Sequence, residues 1–460
     1  MDLLANIPYP EWLNPGDNAW QLIAATLVGL MSIPALAVLY GGLVQKKWIV
    51  NTMLMVFTGF SLTLVVWVLY GYNMAFGTAA HLGGNDFFNN LVGVPHTLLN
   101  AASSQGQAVS DTNTVVPFHF PTATLAYFQF AFAAITPLLF LGGLVGRLKF
   151  KAWLVIVPLW ISVVYVVNAK LMWGGGFFAL KGAVDFAGGF VIHLSAGVAA
   201  FVGAAIIGPR LKRDRTTVPS NLMMVAIGAG ILWLGWNGFN GGAPYYAGAD
   251  TGSAILNTNL ATAVAVLTWV FMDMLLTKQK KPMFLGAING MICGLVGITP
   301  SAGFVNGLGA IIVGFLCSFI VWFAWNYLSR VRPFSKVDDA LGVVFTHGFA
   351  GLVGGLSVGL FADPKMAVYL ADDGKSAAFS VGGWFYTHSF HQLWEQFLAA
   401  AWVIGYTAVG TTIVFYIAKV IVRGLRETDE VLEVGDLAMH DEEAFPTETF
   451  AERVSALSRH

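Results

Sequence analysis

Residues 48–85 read WIVNTMLMVFTGFSLTLVVWVLYGYNMAFGTAAHLGGN, a stretch without a single Asp, Glu, Lys or Arg. A helix needs about 20 apolar residues to cross the hydrocarbon core of a bilayer, so this stretch supplies one span or two. Residues 282–329 form a second charge-free stretch of the same kind. Outward from these, the whole 460-residue chain is 57% hydrophobic and only 11% charged, where an ordinary globular chain carries roughly 25% charged residues. A soluble globular protein is excluded, and an all-α polytopic membrane protein is the expectation. The net charge of −1 leaves no clustered excess of Lys and Arg with which to hold phosphates, so nucleic acid is not a partner. Cys293 and Cys317 lie inside apolar runs and read as small hydrophobes, not as a disulfide framework or a zinc site.

Cutting the chain at its polar punctuation gives eleven apolar segments, at about 19–44, 48–76, 121–145, 152–172, 185–207, 220–241, 253–277, 283–300, 303–327, 339–361 and 393–420. If they alternate sides, 18 of the 24 basic residues fall on one face, in the stretches 46–47, 147–151, 210–215, 278–281, 330–336 and 419–426. The opposite face keeps only Lys170, Lys181, Lys365 and Lys375. The positive-inside rule then expects a multi-pass protein of the cell membrane, N-terminus outside and C-terminus in the cytoplasm.

The chain also contains a duplication. Asp185 is followed eight residues later by His193 and then by Ala196-Gly197; Asp339 is followed eight residues later by His347 and then by Ala350-Gly351. The shared pattern opens segments five and ten, which cross in opposite directions. The expectation is an inverted repeat of five plus five spans, with one helix added and the functional site near the midplane. Residues 1–426 then form one transmembrane domain, with repeats over about 19–207 and 220–361 and a last helix over about 393–420. The remaining residues, 427–460, are an acidic cytoplasmic tail.

Of nine histidines, His193 and His347 are the two well inside expected spans. Ionisable groups in a membrane core are costly to place there, which makes each a functional candidate. Eight residues at about 1.5 Å each carry both imidazoles about 12 Å inward from opposite faces, so the two rings can meet. A neutral histidine bonded to a backbone carbonyl is the plainer alternative. Haem or metal ligation is a weaker one, since no carboxylate or thiolate stands at matching depth. Asp185 is first of all a helix N-cap, and Asp339 takes the same structural part in the second repeat. Trp173 reads as an interface anchor, yet with Phe128 and Phe132 one turn apart on segment three it could also hold a small ammonium-type cation. Such contacts are worth about 0.5 to 2 kcal/mol per ring. No Walker motif, nucleotide fingerprint or nucleophile–base arrangement is present, so neither an enzyme nor a cofactor is expected.

At this point the chain resembles the ammonium transporter family, the Amt/Mep/Rh proteins. The resemblance rests on Asp185-Phe-Ala-Gly-Gly-Phe-Val-Ile-His193-Leu-Ser-Ala-Gly running on to Gly208-Pro-Arg210, and on Tyr40-Gly-Gly, Trp173-Gly-Gly-Gly, Trp236-Asn-Gly-Phe239-Asn240, Gly297-Ile-Thr-Pro300 and Asp338-Asp-Ala with His347-Gly. It implies an eleven-span homotrimer with a pore through each subunit. It implies that His193 and His347 are twin pore histidines and that Phe132 and Phe239 form a stacked gate. Phe132 and Trp173, with Phe128 and the supporting carboxylate of Asp185, become the outer ammonium-recruitment site. Trp173 is similar to the Amt branch rather than the Rh branch. Where the family commonly has a hydroxyl, four residues after the second gate phenylalanine, this chain has Ala243. The stretch from Glu433 to Phe445 resembles a segment that bacterial members use with a PII-type signal protein, although Val434 and Gly435 interrupt it. A sensor that binds ammonium and signals through its tail is the rival reading, but 34 residues after Arg426 are too few for a signalling enzyme. The tail carries two bases and ten acids, and part of Val434 to Phe445 is expected to order against the basic loops around 210–215 or 330–336, of the same or a neighbouring subunit of a trimer.

Overall fold

The computed structural model describes residues 10–446 apart from 111–115, 217, 367 and 371–376. Lys375, Arg453 and Arg459 lie outside the described residues. Ten described helices are long and apolar enough to cross a membrane. They are α1 (Pro15–Leu43), α2 (Lys46–Phe76), α3 (Thr122–Leu144), α4 (Phe150–Leu180), α5 (Gly189–Ile207), α6 (Leu222–Gly241), α7 (Ala249–Leu276), α9 (Gly307–Arg330), α10 (Val344–Phe361) and α11 (His391–Ile421). The remaining expected span is α8 (Phe284–Ile298), apolar but only 15 residues long, or about 22 Å at 1.5 Å per residue. Thus the eleven segments read from hydropathy all become helices, and one of them is short. Among the described residues, the strands are two short antiparallel pairs outside the spans, β1 (Gln107–Ser110) with β2 (Val116–Pro121) and β3 (Val368–Leu370) with β4 (Ala377–Phe379).

One helix is central. The span of α3 is 94% buried, against 39% for α2 or α11, and it packs on α1, α2 and α5. A helix that is apolar on every side belongs inside the bundle, and α3 (TATLAYFQFAFAAITPLLFLGGL) has no polar face. It tolerates Pro137 because neighbouring helices keep lipid away from the backbone groups that proline frees.

The two halves use one local device. Asp185 accepts hydrogen bonds from the amides of Gly188, Phe190 and Val191 at 2.9 to 3.0 Å; Asp339 accepts from Val343 and Val344 at 3.1 and 2.8 Å. Each carboxylate caps a helix that opens in a wide π turn, Gly189–Leu194 in α5 and Val344–Phe349 in α10, and each turn carries the histidine. Three residues after each Asp stands a glycine at positive φ, Gly188 at 110° and Gly342 at 78°, a conformation that L side chains adopt at a penalty. The repeat is therefore Asp-x2-Gly-x4-His-x2-Ala-Gly, one position richer than the sequence comparison found.

The capped helices then cross in contact. A Cβ on Gly197 would lie 2.2 Å from the Cα of Gly348, and one on Gly351 would lie 2.6 Å from the carbonyl oxygen of Gly189. Small residues let backbones approach this closely, and that approach drives helix association where no hydrophobic force acts.

At one end of the bundle the basic loops are tied together. Arg210 holds Asp338 with Nη2 to Oδ1 at 2.7 Å and Nε to Oδ2 at 3.0 Å, joining the loop after α5 to the loop before α10. The fully buried Arg147 donates to the carbonyls of Gly208 and Asp338. Burial alone would push the Asp338 carboxyl up, but Arg210 and Arg147 outweigh it and hold the group down at about 2.

The start of the tail packs under this end as α12 (Asp429–Val434) and α13 (Asp436–His440). Its partner differs from the expected loops. The first turn of α2 has amides without an intrahelical acceptor, and Asp436 takes two of them, Val50 N at 2.7 Å and Asn51 N at 3.0 Å. Lys47 donates to the carbonyl of Leu432 at 2.8 Å, and His440 meets Asn51 at 3.0 Å. Of the loops named from the sequence, 210–215 contributes through Arg213, whose Nη2 lies 3.4 Å from Glu433. Charge attraction alone pointed to the most basic loops; the unpaired helix amides decided instead for the loop at 44–51.

Candidate functional site

The site lies along the contacts between α3, the end of α4, α5, α6 and α10. Starting from the end opposite the basic loops, α4 breaks at Trp173, whose indole Nε1 donates to the carbonyl of Asp185 at 2.7 Å. The bond fixes the indole beside Phe132, with ring centroids 6.2 Å apart and planes at 83°, and Phe76 stacks on its other side at 6.5 Å. Phe128, one turn earlier on α3, lies 4.7 Å from Phe132. The carboxylate of Asp185 is spent on three backbone amides, so Asp185 reaches this aromatic cluster through its carbonyl and its field rather than through a free oxygen.

Phe132 and Phe239 stack with centroids 4.3 Å apart and planes at 22°. Both rings are buried and lie between the aromatic cluster and the histidines. Next stands His193, stacked 5.8 Å from Phe239 and 5.3 Å from Trp236. The Trp236 indole is itself held by Thr299 at 2.9 Å. His193 Nδ1 lies 3.2 Å from His347 Nδ1, with ring centroids 5.3 Å apart. Two imidazoles from opposite repeats therefore share one hydrogen bond in a buried interior, and His193 Nε2 is buried without a hydrogen-bond partner among the described residues.

Seven of the eight residues singled out in the sequence thus fall in two linked groups. Phe128, Phe132, Trp173, Asp185 and Phe239 form the aromatic cluster with its support, His193 and His347 form the pair behind it, and the eighth, Asp339, caps the helix of the second histidine. Ala243 is buried one turn beyond Phe239. Two residues were missed. Trp236 is three positions before Phe239 on α6, a spacing that puts both on one helix face, and Gln129 adjoins Phe128 as the lone amide side chain in the apolar α3. Among the described residues no three His, Cys, Asp or Glu side chains gather as metal ligands would.

The sequence profile described as Ammonium Transporter Family matches residues 19–445. The chain belongs to that family. "Ammonium transporter 2" of Arabidopsis thaliana is 43% identical over 442 residues, covering 95% of this chain and 89% of that protein. "Ammonium transporter 3 member 1" of Oryza sativa subsp. japonica is 44% identical over 448 residues, covering 95% and 88%. Among solved structures, Saccharomyces cerevisiae Mep2 superposes with a TM-score of 0.77 at 28% identity, covering 91% of this chain and 90% of its own. Family membership carries the polytopic membrane fold with it.

Proposed function

We propose that this protein moves ammonium across a cell membrane by recruiting NH4+ at the aromatic cluster, separating it at the phenylalanine stack into NH3, which passes along the paired histidines, and a proton, which the imidazole pair accepts and relays inward. The observation that carries the reading is the uninterrupted series of ring contacts from Trp173 through Phe132 and Phe239 to His193 and His347. The basic end of the bundle is taken as cytoplasmic, and the assembly as a homotrimer with one route per subunit.

Physical chemistry supports each step. The faces of Phe132 and Trp173 attract a cation by about 0.5 to 2 kcal/mol each, partly replacing the water that NH4+ sheds. A bare cation in the apolar interior beyond Phe239 would lose far more than that. Ammonium, unlike potassium, has a proton to give up, so a dry route that passes NH3 selects by chemistry. In a neutral histidine pair joined Nδ1 to Nδ1, one ring carries the shared proton and keeps an acceptor at Nε2, while the other carries its proton at Nε2. The pair thus presents an acceptor at one end and a donor at the other, which suits hydrogen bonding to NH3 and relay of a proton.

The test is flux through purified protein in vesicles, with ammonium and potassium gradients compared. Saturable ammonium flux with no potassium flux is expected. Equal flux of both ions, or none of ammonium, would overturn the reading.

A further inference from the structure

Gln129 is buried on α3, and its amide nitrogen donates to the hydroxyl oxygen of Tyr245 at 2.8 Å while its Oε1 has no hydrogen-bond partner among the described residues. Gln21 on α1 repeats the arrangement. It is fully buried, its nitrogen donates to the carbonyl of Gly242 at 3.1 Å, and its Oε1 is likewise unpartnered. Both amides are anchored in one turn, residues 242–245, closed by the bond from Tyr245 N to Gly242 O at 3.0 Å. The level along the route follows from helix geometry. Gln129 precedes Phe132 by three residues on α3, and Ala243 follows Phe239 by four at the end of α6. Because the two helices run in opposite directions, both positions stand one turn outward of the stacked gate. Phe128 walls the same place, since a Cβ on Gly242 would lie 2.4 Å from its ring and its centroid is 6.0 Å from that of Tyr245.

Two buried amide oxygens with no donor, an aromatic wall and no hydroxyl at Ala243 make a place that accepts hydrogen bonds and donates none from these groups. A buried acceptor left unmade is costly, and its natural complement is a small cation carrying N–H donors. We propose that Gln129, backed by Gln21, supplies the acceptor oxygen that ammonium meets just outside the phenylalanine gate, in the part that a hydroxyl at position 243 would otherwise take. The assignment rests on the transport reading above and names a specificity-determining residue within it.

The experiment measures initial ammonium flux in vesicles against ammonium concentration for wild type, Gln129→Leu, Ala243→Ser and the double variant. Gln129→Leu keeps the size of the side chain and removes the acceptor. Its half-saturation should rise about tenfold, as losing one hydrogen bond to a charged group implies, with maximal flux retained. Adding Ala243→Ser to it should bring half-saturation back to within about threefold of wild type. Ala243→Ser alone should change half-saturation much less than it does in the Gln129→Leu background. Should Gln129→Leu fail to assemble, Gln129→Glu decides, because it keeps an acceptor of the same shape and adds a charge; its half-saturation should fall below wild type. A wild type without saturable ammonium flux removes the transport reading and this assignment with it. A saturable wild type with unchanged half-saturation in Gln129→Leu, or in Gln129→Glu where that variant decides, overturns this assignment alone, and so does a Gln129→Leu defect that Ala243→Ser leaves uncorrected.

Discussion

The two histidine turns are built alike and furnished differently. Asp185 and Asp339 each cap a π turn through backbone amides, each with a positive-φ glycine three residues on. Around the first turn, aromatic rings crowd in, with Trp173 held by the Asp185 carbonyl and Trp236 and Phe239 stacked on His193. Around the second, rings pack as well, Phe345 and Phe349 of the turn itself against Trp325 and Phe334, but beside it lies an ion cluster, with Arg147 and Arg210 gripping the neighbouring Asp338. A duplicated backbone thus fixes where the imidazoles meet, while unduplicated side chains place an aromatic cluster at one approach and a charged latch at the other.

The comparison breaks most completely at the shared pair. Under the proposed mechanism His193→Ala or His347→Ala should reduce selective ammonium flux by about a hundredfold, the scale of removing one preorganised polar group from a reaction path. Vesicle flux with ammonium and potassium compared checks this; normal selective flux in both variants would make the histidines structural. The crossing that brings the turns together comes next. Gly197→Val places its side chain into the backbone of Gly348, and a loss of about 3 kcal/mol is expected from overpacking against atoms that cannot move aside. A fall in thermal stability of the detergent-purified protein is the readout, and an unchanged midpoint would mean that the helices can separate freely.

The latch is sharpened by pH. The Asp338 carboxyl is held at about 2, below the ordinary value near 3.9, so its contribution is complete above about pH 4 and is lost as pH falls from there toward 2. Asp338→Asn should therefore cost about 2 kcal/mol at neutral pH, and its melting point should converge on that of wild type as the medium is acidified below about pH 4. Parallel melting curves at every pH would refute the latch. The smallest effect belongs to the tail. Asp436→Ala removes a cap worth about 1 kcal/mol, so proteolysis of the segment after Arg426 should quicken about fivefold, and an unaltered cleavage pattern would count against docking through Asp436.

Much of this was legible in the chain itself. Hydropathy sets the number and limits of the spans, because the bilayer core admits only long apolar helices, and the eighth came out short for the same reason that its segment was among the shortest apolar runs. The spacing of Asp185 to His193 and of Asp339 to His347 was enough to place both rings at matching depth, since helical rise is uniform. Side-chain partners were not legible. That the Asp185 carboxylate is consumed by amides, that Trp236 backs His193 and that Asp436 caps α2 each depend on groups tens to hundreds of residues apart or on local turns whose width no periodicity reveals. The sequence by itself determined a membrane-spanning duplicated chain with a histidine in each half, because solvation and helical repeat act locally. Only the tertiary structure decided that the two histidines share a hydrogen bond, because that depends on how closely glycine lets two helices approach.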